Sequence, residues 1–333
     1  MDARLPPDEA VACPSAFRGV RSPFAMTTSL IVTQKLLHAL LVVVGVNVVV
    51  FTVTHFIGDP VHLMLPLDAT NAQYLALKHQ LGLDHSFLTL FANYFEAAVH
   101  GDFGNSLWQS RPALGVTLHH VMPTVELASA AMFLSVLFGV PAGFYSAVRA
   151  DTAVDRVLGF MAVVSVSVAT FWLALMLILV FAVELRWFPT SGYGLRNLVL
   201  PAVAAAALPF GRIVQLARAA MAEEMMQPYF RVAQAKGLSL RRIVIVHAAR
   251  NAFIPVLAFI GFEYAFLMGA GMIVTETIFN WPGVGYLTYQ ALEHRDFPLI
   301  QTCVLVIAVI VVITNLVVDA VHGLLDPRIS GTA

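Results

Sequence analysis

The sequence predicts an all-α polytopic membrane protein with six transmembrane helices, and three observations carry that prediction. Of 333 residues, 59% are hydrophobic and only 12% charged, with a mean hydropathy of +0.80. Soluble proteins carry about 25% charged residues, so there is too little charge here to coat a water-soluble body. This excludes a cytosolic enzyme, a nucleic-acid binder and a disordered chain. Second, six stretches have the roughly 20 apolar residues needed to cross the hydrocarbon core. Third, the basic residues are distributed unevenly between the segments that separate those stretches. The formal net charge of -1 names no partner. Cys13 and Cys303 fall before the first span and inside the last, so no disulfide is expected.

Residues 1–35 form an N-terminal cytoplasmic extension. Its first 25 residues are proline-rich and lack a helical period. The apolar run that follows is too long for a secretory signal and lacks a small-residue cleavage site, which predicts a retained anchor. The extension reads either as a disordered tail or as sequence upstream of a true start at Met26. The first span covers 36–57. An extracytoplasmic segment, 58–120, comes next. In it Phe87, Leu90, Phe91, Tyr94, Phe95 and Ala98 repeat at helical spacing and predict a helix lying on the membrane or capping the bundle.

Residues 121–323 form a five-helix core. Its spans are Val125–Val148, broken by Gly139, Pro141 and Gly143, then Val157–Val183, Leu198–Ala217, Ile254–Val274 and Leu299–Val321. The Leu198–Ala217 span is mostly alanine, with Pro201 and Pro209, and suits close packing against other helices better than contact with lipid. A short tail, 324–333, ends the chain. With the N-terminus placed inside, 14 of the 19 Lys and Arg residues fall on the cytoplasmic side, seven of them between Arg212 and Arg250. This bias predicts that both termini are cytoplasmic.

The cytoplasmic loop 221–250 carries its own start and stop signals. Pro228 can open a helix. Gly237 is placed to end it in the left-handed conformation, with Leu238 as the apolar residue after the turn. Ser239 is placed to cap a second helix running toward Arg250. A structured loop of thirty residues is uncommon and usually functional.

Ala233-Gln-Ala-Lys-Gly-Leu-Ser239, followed by His247-Ala-Ala-Arg-Asn251, resembles the coupling-loop signature of ABC importer permeases, in the branch that carries dipeptides, oligopeptides, glutathione and nickel. The resemblance covers most of the chain from Leu36 onward. Gly58-Asp59-Pro60, Leu81-Gly-Leu83, Gly101-Asp-Phe-Gly-Asn-Ser106 and Pro123-Thr124-Val-Glu126 follow in the expected order. Thr275-Glu276-Thr-Ile-Phe279-Asn-Trp281-Pro282-Gly283-Val-Gly285, Arg295-Asp296-Phe297-Pro298, Asn315-Leu-Val-Val-Asp319 and Asp326-Pro327-Arg328 complete the series. The sequence departs from the family at Ala169, where proline is usual, which predicts a weaker kink in the third span. It also departs at Pro228, Val232 and Gln234.

The resemblance implies a type I importer permease with the MetI-like architecture, forming half of a translocation channel in the bacterial inner membrane. It implies a second homologous permease subunit, two ATP-binding cassette ATPase subunits and an extracytoplasmic substrate-binding protein as partners, besides the lipid bilayer. Ala233, Ala235, Lys236, Gly237, Leu238, Ser239 and Arg241 would then couple the chain to the ATPase. The chain has no Gly-x-x-x-x-Gly-Lys-Ser/Thr phosphate loop. No cofactor is expected in it, and ATP and magnesium would be used by the partner subunits.

Ionisable residues inside spans are functional candidates. Glu263, in the middle of the fifth span, reads either as part of the translocation path or as half of a structural bond. Glu276 and Trp281 are candidates for the path or a gate. Asn315 and Asp319 share one face of the sixth span, with a structural bond favoured. Glu126 and Glu184 sit at span ends. His119 and His120 point to different faces and read as interfacial. Trp187, Phe188, Tyr193, Trp281, Tyr286 and Tyr289 read mostly as interface anchors. A polytopic hydrolase would need a Gly-x-Ser-x-Gly, a His-Glu-x-x-His or a pair of mid-span acids, which are absent. A secondary transporter would show inverted repeats, which are absent too.

Overall fold

The computed structural model describes residues 24–57, 70–80 and 87–325. Residues 1–23, Gly58-Asp59-Pro60, Leu81-Gly-Leu83 and Asp326-Pro327-Arg328 lie outside the described residues. The chain divides into two units, 1–38 and 39–333.

Helix α1 is Phe24–Ile57, with an apolar stretch over Leu37–Val53. Helices α2 (Asn71–Gln80) and α3 (Phe87–Val99) follow. The apolar stripe expected on α3 turns inward: Phe91 and Tyr94 lie on the Phe51 ring, at 5.4 and 4.9 Å between centroids. Phe95 stays exposed.

Four helices among the described residues are long and apolar enough to cross a membrane: α4 (Ala113–Val148), α7 (Leu195–Met226), α9 (Leu240–Gly271) and α12 (Phe297–Leu325). The third span is broken. Its halves, α5 (Ala153–Ser167) and α6 (Thr170–Leu177, continuing as a π-helix over Ile178–Glu184), meet at 103°. This corrects the expectation of a weak kink at Ala169. Val168 and Ala169 both adopt extended backbone, with ψ of 126° and 130°, a conformation open to every residue. Proline would favour this break but is not needed for it.

Helix α7 is the axis of the bundle. Its alanines Ala202, Ala204, Ala205 and Ala206 are buried, as its small side chains predicted. Gly143 of α4 lies so near it that an added Cβ would meet the Ala217 Cβ and the Val214 carbonyl at 2.6 Å. On its other flank the Ser165 hydroxyl of α5 donates to the Ala207 carbonyl. Two short helices, α10 (Ile273–Phe279) and α11 (Val284–Glu293), join α9 to α12. The main core gathers Leu127, Ala131, Ile213, Ala217, Met221, Ile243, Val256 and Trp281.

Candidate functional site

The loop expected between Ala222 and Asn251 is mostly helix. Helix α7 extends to Met226, and α8 runs over Pro228–Ala235 with its proline in the first turn. Lys236 ends α8, and Gly237 follows with φ +75°. The Gly237 N–H donates to the Gln234 carbonyl at 2.9 Å, and the Leu238 N–H reaches back to the Ala233 carbonyl at 3.3 Å. These two bonds close a Schellman turn, the stop signal read at Gly237 and Leu238. Leu238 and Ala233 pack against the main core, while Ala235, Lys236, Gly237, Ser239 and Arg241 are exposed.

One expectation is corrected here. Ser239 stands at the start of the next helix, but its hydroxyl makes no capping bond; its carbonyl accepts the N–H groups of Arg242 and Ile243. That helix runs past Arg250: it passes through a π-helical stretch, Ile243–Ala248, and continues as the fifth span, with Pro255 inside it and a kink at Gly269.

Helix α8 is anchored from beneath. Phe230 is buried. The Tyr229 hydroxyl donates to Glu224 Oε2 at 2.5 Å, and Asn251 Nδ2 donates to the same oxygen at 3.3 Å. Burial, and then the Glu224 carboxylate, push the Tyr229 phenol up to about 12. One carboxylate thus joins the end of α7, the exposed helix and the start of the fifth span. Around this anchored piece Val232, Leu240, Ile245 and Val246 expose apolar side chains beside the basic ones.

A second node forms where α10 and α11 meet α4. Glu276 is fully buried. Its Oε1 accepts the Thr124 hydroxyl at 2.7 Å and its Oε2 accepts the Tyr286 N–H at 3.0 Å, so a carboxylate sits on the positive end of α11. The Thr124 oxygen in turn accepts the Val284 N–H at 2.8 Å. Gly283 is required: a Cβ there would fall 2.2 Å from the carboxylate. Trp281 is buried, corrected from a possible interface anchor. Its Nε1–H donates to the Pro123 carbonyl at 2.8 Å, and its ring lies 5.0 Å from Tyr193, whose hydroxyl donates to Glu126 at 2.7 Å. Pro123 and Thr124 therefore each hold one part of the Glu276–Trp281 segment, and Glu126 holds Tyr193, whose ring lies against Trp281.

In the middle of the bundle Glu263 Oε1 pairs with Arg212 at 2.9 Å. Arg212, counted from sequence with the cytoplasmic loop, lies well inside α7, where a carboxylate of the neighbouring helix partners it. Asn315 and Asp319 are exposed on α12. His120 Nδ1 lies 2.8 Å from the Val116 carbonyl. No group of three His, Cys, Asp or Glu among the described residues could hold a metal ion.

Two polar nodes were not foreseen. Asp155 receives Arg218 through both oxygens, at 2.7 and 2.8 Å, and the Ser146 hydroxyl at 2.5 Å. It ties the ends of α4, α5 and α7 together. Asp296 is fully buried and accepts the Ser106 hydroxyl at 2.5 Å and the Trp108 N–H at 3.1 Å. The Trp108 ring stacks on His294 at 4.2 Å. The motifs around Ser106 and Asp296 were both legible, but not that they bind each other.

Comparison with known proteins bears on this arrangement. The family described as binding-protein-dependent transport system inner membrane component matches residues 139–331. The dipeptide transport system permease protein DppB of Alkalihalophilus pseudofirmus is 33% identical over 326 residues, covering 89% of this chain and 98% of that protein. The glutathione transport system permease protein GsiC of Escherichia coli K12 is 37% identical over 301 residues, covering 90% and 98%. Among solved structures, a chain of the MetNI methionine ABC transporter in an inward-facing conformation superposes with a TM-score of 0.51 at 16% identity. It covers 63% of this chain and 96% of that one, a likeness of fold.

Proposed function

The chain belongs to the binding-protein-dependent transport system inner membrane components, as a multi-pass permease subunit of an ABC importer and not an enzyme, and on that premise we propose that it carries peptides or peptide-like solutes. The names of its relatives, a dipeptide and a glutathione permease, support that cargo class. In this reading the chain forms half of the channel in the bacterial inner membrane, beside a second homologous permease subunit. Both termini are cytoplasmic. Two ATPase subunits, which use ATP and magnesium, dock below, and a substrate-binding protein delivers cargo from outside.

The observation that carries the coupling role is α8 with its Schellman turn. It is a short rigid piece, exposed on its outer side, anchored through Glu224 and covalently continuous with the fifth span. Ala233, Ala235, Lys236, Gly237, Leu238, Ser239 and Arg241 supply the surface and the turn that an ATPase would press. The exposed Val232 and Leu240 add apolar area to that surface. Glu276 and Trp281 are assigned to holding the α10–α11 connection against α4, a structural support for a gate, because both are buried away from any passing solute. Glu263 is assigned to the path through its partner Arg212.

The test is co-purification and reconstitution. The complex with ATPase subunits should hydrolyse ATP faster when peptide-loaded binding protein is added, and Gly237→Pro should abolish that stimulation while the complex still assembles. Unchanged coupled activity in Gly237→Pro refutes the coupling role, and full transport by the chain alone refutes the whole reading.

A further inference from the structure

The ion pair inside the bundle is asymmetric. The Glu263 side chain is wholly buried, whereas that of Arg212 is 37% exposed. Arg212 lies near the middle of α7, about 20 Å or more from either end. Only one guanidinium nitrogen is engaged, at Glu263 Oε1, and Glu263 Oε2 is buried without a hydrogen-bond partner. The pair is therefore not the two-pronged arrangement a guanidinium and a carboxylate can form. The Phe266 ring lies 5.8 Å from the guanidinium carbon and supports it. Gln215, about one turn further along α7, is also exposed. An open guanidinium and an open amide midway along a helix long and apolar enough to cross a membrane do not face hydrocarbon; such groups face a water-filled cavity or another protein.

We propose that Arg212, held in place by Glu263, receives the carboxylate of the cargo as it passes through the channel. The proposal rests on the peptide-cargo reading above, which supplies the C-terminal carboxylate. The chemistry fits: the unoccupied edge of the guanidinium matches a carboxylate, and Gln215 offers amide N–H groups beside it. The pair is neutral overall, with its negative half buried and its positive half turned outward. That gives a local attraction for an anion without a full unpaired charge. A transit site has this requirement, since cargo must enter and also leave.

The test uses the assembled transporter with Cys13 and Cys303 replaced by alanine. Q215C is reacted with anionic and cationic methanethiosulfonates of similar size. With Arg212 intact the anionic reagent should react about tenfold faster than the cationic one. In the R212Q/E263Q background, which removes both charges and leaves none buried alone, the preference should vanish. In parallel, translocation of Ala-Ala and of alanyl-alaninamide from preloaded binding protein is compared. Arg212 should favour the free acid and R212Q/E263Q should not. If Ala-Ala is transported yet Q215C is unreactive or blind to charge, as when a partner subunit covers Arg212, the inference is overturned. An acid-to-amide ratio unchanged in R212Q/E263Q overturns it as well. If neither peptide is transported but Q215C shows the charge preference, the anion-attracting site is supported and the peptide reading is what fails. Should R212Q/E263Q not assemble, the reactivity of Q215C with Arg212 intact still decides.

Discussion

The turn at Gly237 makes a graded prediction. Its φ of +75° lies in the left-handed region, and beyond its chain neighbours no atom lies within 4 Å of where a Cβ would stand. The cost of a side chain there is therefore conformational and not steric. For an ordinary L-residue that cost is about 1–2 kcal/mol, a factor of roughly 5 to 30 between the closed and opened turn. Asparagine tolerates the left-handed region and should lose least, alanine should take about the full cost, and β-branched valine more. Proline is worst, because its φ is fixed near −65° and it removes the N–H that bonds Gln234. The assay is ATP hydrolysis by the reconstituted complex, with and without loaded binding protein, alongside the yield of co-purified ATPase. Stimulation should fall in the order Gly, Asn, Ala, Val, Pro, with assembly largely kept. If Asn is as damaging as Val, the glycine is needed for contact with a partner and not for its φ. If Ala and Val match glycine, the turn does not transmit force.

Gly283→Ala should destabilise the subunit by about 3 kcal/mol or more, since the new methyl meets the buried Glu276 carboxylate; thermal unfolding in detergent reads this, and an unchanged melting temperature counts against the node. Trp281→Phe leaves the Pro123 carbonyl without its donor and removes part of a buried ring, costing about 2 kcal/mol or more in the same measurement. Arg218→Lys should not restore the bond through both oxygens of Asp155, so it should lose nearly as much stability as Arg218→Ala; full rescue by lysine would show that charge alone suffices there. Reporter fusions at Gln80 and Ser239 should report outside and inside respectively, and an external Ser239 would sink the topology.

What could be read from the sequence followed from short-range physics. The spans rest on apolar length, the stop of α8 on one glycine and the residue after it, and the packing role of α7 on its alanines. All of these are local and survived into three dimensions. The pairings did not show, because they join residues far apart in the chain: Thr124 with Glu276, Asp155 with Arg218, Ser106 with Asp296. Arg212, counted with the cytoplasmic side, lies within α7 beside Glu263. Counting basic residues treats each charge as solvated, and only the fold reveals that Glu263 lies opposite it. The lack of proline at Ala169 predicts a weaker kink, whereas two extended residues, Val168 and Ala169, make the break without it.

One consequence follows from the continuity of Leu240–Gly271. At 1.5 Å per residue this rod is about 48 Å long. Its midpoint falls at Pro255 and Val256, and Val256 is fully buried in the core. Both ends carry π-helical stretches, Ile243–Ala248 and Leu267–Gly271, and the second contains a kink at Gly269. A rod pinned at its centre is a seesaw: tilting it by about 10° swings each end by about 4 Å, in opposite directions. A sideways push at Leu240 would then arrive beyond Val256 reversed in sign, up to the kink at Gly269. Under the coupling role proposed above, drawing this helix inward at one membrane face would move it outward at the other.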